Sequence, residues 1–253
     1  LLLPLFNRPQ NPSRPRLKAK YTLSRLKGRS KKLSTLIKLE EKLNEALSKK
    51  EKKNFTQSVE LVINLKDVDV SKPEKRFTET IELPRGLDGK PRKVAVIASG
   101  SLALEASRSP NVDKVFEKPE VEALVGNKKA AKKLAREYDY FLVEASLMPT
   151  AARALGAALG SLGKSPVPIP PGANIDSLAA KFKRSVTVRL RKIPQVSCMI
   201  GTEDMQVQDL LENASTVINR VVDKLERKWA NVKSIYIKTT MGQPVKLDIS
   251  RAK

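Results

Sequence analysis

The sequence predicts an α/β protein of two domains: a discontinuous α+β domain made from both chain ends, with a smaller α/β domain inserted between them. Three observations predict it. Strands near both ends alternate apolar and polar residues, as half-solvated sheets do. Strands in the middle are short and almost wholly apolar, and they alternate with helical stretches, which is the grammar of a parallel sheet covered on both faces. Proline-rich crossings at 84–91 and 166–171 separate the two grammars and would form a two-strand hinge. The boundaries follow: a basic leader over 1–32, an outer domain over 33–84 and 173–250, and an inserted domain over 85–172.

Each element has its own justification. The leader carries ten Lys/Arg and no acid, so it reads as a flexible arm, either an unstructured extension or one ordered by RNA. Next, "LSTLIKLEEKLNEALSKK" sets Leu33, Leu36, Ile37, Leu43, Ala46 and Leu47 on one helical stripe, ended by the lysine cluster 49–53. "FTQSVELVINL" alternates with Val59, Leu61, Ile63 and Leu65 inward, and a second strand near 76–83 stops at Pro84. In the middle, "KVAVIAS" (93–99), "VDKVF" (112–116) and "YFLVEA" (140–145) read as strands. Helices are expected at 101–108, continuously through 120–138, and at 149–159. A short helix at 175–182 leads to "RSVTVRLRK" (184–192), with Val186, Val188 and Leu190 inward and Arg189 and Arg191 sharing the solvent face. "QVSCMIG" (195–201), a long helix over 204–229, and two strands meeting at a turn near Gly242 complete the chain. In "IYIKTTMG", Ile235, Ile237 and Thr239 share one face while Tyr236, Lys238 and Thr240 share the other.

Composition narrows the function. The chain has 253 residues, 49 Lys+Arg against 27 Asp+Glu, and a net charge of +22. Such a surplus repels itself unless an anion answers it, and nucleic acid or an anionic membrane surface is the usual answer. No apolar run is long enough to span a bilayer. The "LLLPLF" opening lacks the preceding positive region and unbroken apolar stretch of a signal peptide. Histidine is absent and Cys198 is the single cysteine, which argues against zinc sites, disulfides and histidine acid–base catalysis.

A nucleotide-dependent enzyme is the alternative of a different class, and the middle strands invite it. After "KVAVIAS", however, only Gly100 is present where G-x-G-x-x-G would be needed, and "GAALGSLGK" (156–164) follows a helix without the phosphate-loop ending. Glu203 and Asp204 precede a helix, where Thr202 or Asp204 would cap it. Cys198 reads as core. No catalytic residue, metal or cofactor is assigned.

The outer segments carry the candidate site. Lys53, Lys183, Arg184, Arg189, Arg191 and Lys238 supply positive charge suited to phosphates. Thr56, Ser58 and Thr240 offer hydroxyls, Gly242 a close backbone approach, and Met241 an exposed apolar surface for a ribose or base. Glu60 could accept from a base amino group or a 2′-hydroxyl. Aromatic residues make up only 4% of the chain, with Phe55 at a strand start, so structured RNA read by shape fits better than stacked single strands. A generic basic binder of structured RNA is the plainer alternative.

Four segments in order, "NFTQSVEL" (54–61), "FKRSVTV" (182–188), "IGTEDM" (200–205) and "IYIKTTMG" (235–242), resemble the large-subunit ribosomal protein L-one family, in its archaeal form. The resemblance spans about 33–250. It implies an RNA-binding domain from both chain ends and an inserted Rossmann-like domain without a cofactor. It implies a cytoplasmic, non-catalytic protein of the large ribosomal subunit, without membrane or obligate homo-oligomer. Its implied partners are the stalk of large-subunit rRNA, deacylated exit-site tRNA whose movement and release the stalk supports, other ribosomal components, and its own mRNA, through which such proteins repress translation. Carried over by position, the RNA contacts are Phe55, Glu60, Ser234, Thr240, Met241 and Gly242. The family's basic residue before the phenylalanine is Asn54 here, which leaves Lys52 or Lys53 to supply that charge. In "LGAALGSLGKSP" two family prolines are replaced by Ala157 and Ser161, which loosens the loop leading to Lys164.

Overall fold

The computed structural model describes residues 39–49, 53–170 and 172–247. The leader, Leu33, Leu36 and Ile37 of the first helical stripe, and the end of the last expected strand lie outside the described residues. The architecture is mixed α/β and two-domain-like, with three sheets. Helix α1 (39–48) buries Leu39, Leu43 and Ala46. Strands β1 (Ser58–Leu65) and β2 (Phe77–Glu82) follow, and the chain then enters the parallel unit.

That unit runs β3 (Val94–Ile97), α2 (Gly100–Arg108), β4 (Lys114–Phe116), α3 (Lys118–Ala123), α4 (Lys128–Glu137), β5 (Tyr140–Glu144), α5 (Met148–Leu162) and β6 (Val167–Ile169). The strands form one parallel sheet in the order β4-β3-β5-β6. Residues facing one side (Ala95, Ile97, Phe141, Val143) pack on α3, α4 and α5. Those facing the other side (Val94, Val96, Tyr140, Leu142) pack on α2 and on α6 (Ile175–Lys183), which inserts Ile175, Ala179 and Phe182. Coverage on both faces explains why these strands carry no polar alternation.

After α6 the chain returns through β7 (Ser185–Leu190), β8 (Gln195–Thr202), α7 (Val207–Lys224), β9 (Val232–Thr239) and β10 (Val245–Leu247). Strands β10-β9-β1-β8 make an antiparallel sheet, and β2 pairs antiparallel with β7 as a separate ribbon. One core joins them: Val59, Leu61 and Ile63 from β1, Ile235 and Ile237 from β9, Val186, Val188 and Leu190 from β7, and the α7 stripe Leu210, Ala214, Val217, Ile218, Val221 and Val222. On the opposite face of the four-stranded sheet, Glu60, Val62, Asn64, Tyr236 and Lys238 are half-exposed.

The structure departs from the sequence expectations in several places, and the helix expected over 204–229 spans only Val207–Lys224. The helix expected through 120–138 is two helices, because Gly126 adopts φ 87° and Asn127 caps α4 by accepting from the Ala130 amide at 3.1 Å. The proline-rich crossing contains β6, and it tolerates Pro168 because β6 is an edge strand. Helix α6, expected with the outer segments, packs on the parallel sheet. Neither Thr202 nor Asp204 caps α7; the N-cap is Gln206, with no side-chain hydrogen bond.

Cys198 keeps part of its surface exposed, yet it pairs across from Leu61 and packs on the core. Burial pushes its thiol up to about 12, with the Glu60 charge adding to the shift against Arg92. A neutral alkylating reagent at mildly alkaline pH should therefore modify the native protein more than about a hundredfold more slowly than the urea-unfolded chain. Equal rates would show that the thiol is not held in the core.

Candidate nucleic-acid interface

The site begins with β1, which lies between β8 and β9. Its first two residues meet the last residues of the two neighbours: Ser58 pairs with Thr202, and Val59 with Thr239. Three segments distant in sequence therefore end at one rim. Alternation turns Glu60 and Val62 to the open face, opposite Met199 and Ser197 on one side and Lys238 and Tyr236 on the other. Glu60 thus sits directly across from a lysine on the same face, a favourable cross-strand pair.

The rim is tightly fixed. The Thr240 amide donates to the Ser58 carbonyl at 3.0 Å, and the Ser58 amide donates back to the Thr240 hydroxyl at 3.0 Å. Buried Gln57 accepts from the Met241 amide at 3.1 Å through its side chain, and its own amide donates to the Glu203 carboxylate at 2.9 Å. The Gly242 amide donates to the Thr239 hydroxyl at 3.1 Å, and a β-carbon on Gly242 would lie 2.2 Å from that oxygen. The turn therefore requires glycine for space.

Two apolar side chains project from this frame, Phe55 at 50% exposure and Met241 at 54%. Thr56, Ser58, Thr240 and Gly242 are half-buried beside them, and Lys53 is exposed. The structure adds Lys90, whose ammonium donates to the Thr56 carbonyl at 2.8 Å and the Ser58 hydroxyl at 3.2 Å. The result is a rigid edge of hydroxyls and two exposed apolar groups, flanked by Lys53, Lys90 and Lys238. Such an edge can neutralise phosphates, hydrogen-bond riboses and press an apolar surface on a sugar or base.

The predicted residues divide. Lys53, Phe55, Thr56, Ser58, Glu60, Lys238, Thr240, Met241 and Gly242 come together at this end of the sheet. Ser234 lies farther along the open face: Asn64, its cross-strand partner, is four residues from Glu60, about 13 Å along the strand. Its hydroxyl accepts from Asn64 at 3.1 Å, and the residue is 7% exposed.

The remaining basic residues belong to the neighbouring segment. Lys183 faces Asp113 at 3.6 Å, and Arg184 faces Glu82 at 3.3 Å. Arg189 donates to the Leu162 carbonyl at 3.1 Å, and both its guanidinium and that of exposed Arg191 reach Gly163, so the face the two share is turned toward the end of α5. Sequence reasoning missed Gln57, Lys90 and the role of Glu203. Their contacts cross long stretches of chain, and no local pattern signals them.

A carboxylate from the end of β5 stands at the end of β3 in the parallel sheet. Beyond the end of β3, the Ser99 amide and hydroxyl both donate to the Glu144 carboxylate at 2.9 Å, which takes the position a phosphate would use. Hydrogen bonds from Ser146 and Ser99 hold this carboxyl below the usual carboxylate range. Among the described residues, no group of three or more histidine, cysteine or acidic side chains could hold a metal ion, and no helix is long and apolar enough to cross a membrane.

Comparison with known proteins decides the family. The profile of the ribosomal protein L1p/L10e family matches residues 47–243. The chain belongs to that family. It is 46% identical to the large ribosomal subunit protein uL1 of Thermofilum pendens, over 83% of this chain and 92% of that protein. Identity to the protein of the same name from Thermococcus kodakarensis is 46%, over 83% of this chain and 97% of the relative. For the Methanocella arvoryzae protein it is 42%, over 82% and 96%. The family is one of ribosomal proteins. The matched region includes the rim, the parallel unit and the β2–β7 ribbon.

Two substitutions test the rim's construction. Gln57→Ala strips the Met241 amide of its buried acceptor and should lower the unfolding free energy in urea by about 1–3 kcal/mol. Gly242→Ala must displace the Thr239 side chain and should cost about 1–3 kcal/mol. Wild-type stability in both variants would contradict the frame described here.

Proposed function

We propose that this protein is a constituent of the large ribosomal subunit that binds the stalk of its rRNA through the rim around Phe55, Glu60, Lys238, Thr240 and Met241. The observation that carries the reading is the pairing of half-exposed Phe55 and Met241 with a fixed row of hydroxyls and lysines. An exposed apolar pair on a hydrogen-bonded frame suits the shallow minor groove and exposed sugars of folded RNA better than it suits solvent. Family membership and the printed names of the relatives support the ribosomal setting.

In this reading the segments 33–84 and 173–250, apart from helix α6, which packs on the parallel unit, supply the RNA-binding domain. The inserted unit, Rossmann-like in strand order and without a cofactor role, is placed beside departing exit-site tRNA and moves with the stalk. No bond is made or broken. The same rim would read an mRNA segment of like shape, which gives the protein a route to repress its own translation in the cytoplasm.

The test is a salt titration of binding to the isolated stalk rRNA fragment, against a structured RNA of equal length. Phe55→Ala and Met241→Ala should each weaken stalk binding about tenfold or more while leaving the salt slope unchanged. Lys238→Ala and Lys90→Ala should reduce affinity and lower the slope by about 0.7–0.9 per lost phosphate contact. No preference for the stalk fragment, or equal slope changes in all four variants, would overturn the assignment.

A further inference from the structure

The cations that the rim leaves out gather elsewhere. A cavity of about 180 Å³ lies between the β2–β7 ribbon and the parallel unit, walled by Thr80, Thr187 and Arg189 on one side and by Asp139 and Lys164 on the other. Arg92 enters it from the segment joining β2 to β3. Arg92 Nη1 and Lys164 Nζ each stand 3.8 Å from the same Asp139 oxygen. Both cations are mostly buried, with 29% and 20% of their side-chain surfaces exposed. Arg189 lines the same space, so a single carboxylate there stands among three cations.

The chain is built to tolerate this crowding. Lys164 is anchored by donating to the Ala135 and Tyr138 carbonyls at 2.9 and 2.7 Å. Burial, then the nearby Arg92 and Arg189 charges, hold its ammonium below the ordinary lysine range, with Asp139 opposing the shift. Gly163 ends α5 at φ 71°, and a β-carbon there would overlap the Arg189 guanidinium. Capping α5 explains one Arg189 hydrogen bond, to Leu162. It does not explain why Arg92 and Lys164 converge on the same space.

We propose that this seam is a binding site for a phosphate-class oxyanion, held by the guanidinium groups of Arg92 and Arg189 with Lys164 and the hydroxyls of Thr80 and Thr187. Guanidinium forks match the tetrahedral oxygens of phosphate, and partial burial strengthens each charge-assisted hydrogen bond. The cations come from three separate stretches of chain: the connecting segment, β7 and the end of α5. A bound anion therefore ties the outer unit to the parallel unit. Because it binds well only when the three stretches are together, it shifts the two units toward the arrangement seen here. This device is independent of the rim and does not rest on RNA binding.

The experiment titrates inorganic phosphate, and separately adenosine 5′-monophosphate, into the full chain by calorimetry at constant ionic strength set with chloride. Saturable single-site binding is expected, weakened about tenfold or more by Arg92→Gln and by Arg189→Gln, since each removes charge-assisted hydrogen bonds. Lys132→Gln, on the exposed side of α4, should bind as the wild type does. Arg92→Lys, which keeps the charge but loses the fork, should fall between. Spin labels on the double variant Lys132→Cys, Lys233→Cys should report a narrower distance distribution once phosphate is added. Binding of phosphate alone identifies a free ion, and binding of both identifies a phosphate carried on a nucleoside; either supports the site. If Arg189→Gln does not fold, Arg92→Gln decides the matter. No saturable binding of either compound, or equal binding in Arg92→Gln and wild type, would overturn the proposal.

Discussion

Pairing between β1 and β9 is the constraint on which the rest of this structure depends. Ser58 and Thr240 lie 182 residues apart, yet they share backbone and hydroxyl hydrogen bonds in both directions. Closing so long a loop is entropically costly, and the loss is recovered only when the alternating apolar residues of both strands enter one core with α7. The closure has two consequences. It brings Phe55, Lys90 and Met241 to a common rim, and it leaves the stretch between β2 and β7 to form a separate unit with its own parallel sheet. The two candidate binding surfaces of the protein are by-products of the same strand pairing.

The basic residues sort into two populations by what they touch. Lys53, Lys90 and Lys238 border an open, half-exposed face whose frame is backbone and hydroxyl groups. Lys183, Arg184, Arg189 and Lys164 are engaged with carboxylates or helix-end carbonyls around the seam. A net charge of +22 says only that a polyanion is a suitable partner. Which cations meet it is settled by the elements that cover or expose them.

Much of the fold was legible because burial on one face of a strand enforces a period of two. Val59, Leu61 and Ile63, or Ile235 and Ile237, announce themselves this way. The break at Gly126 was not legible, since apolar residues on both sides keep a helical spacing and only the left-handed glycine interrupts it. Strand β6 was hidden by its prolines, which an edge position accommodates. For the site, exposed Phe55 and Met241 and the glycine turn were visible in the sequence. Gln57, Lys90 and Glu203 were not, because side-chain-to-backbone bonds across distant segments leave no periodic trace. Arg189 shows the limit of alternation: it gives the face a residue points from, but not what lies against that face.

The central claim is that the rim formed by both chain ends is the RNA-binding surface. Amide hydrogen exchange measured along the whole chain, free and bound to the stalk rRNA fragment, tests it most directly. Slowed exchange centred on residues 55–60 and 238–242, with the β7 segment and parallel unit little changed, is the predicted result. Protection confined to 184–192 or to the parallel unit, with the rim amides unaltered, would contradict the account.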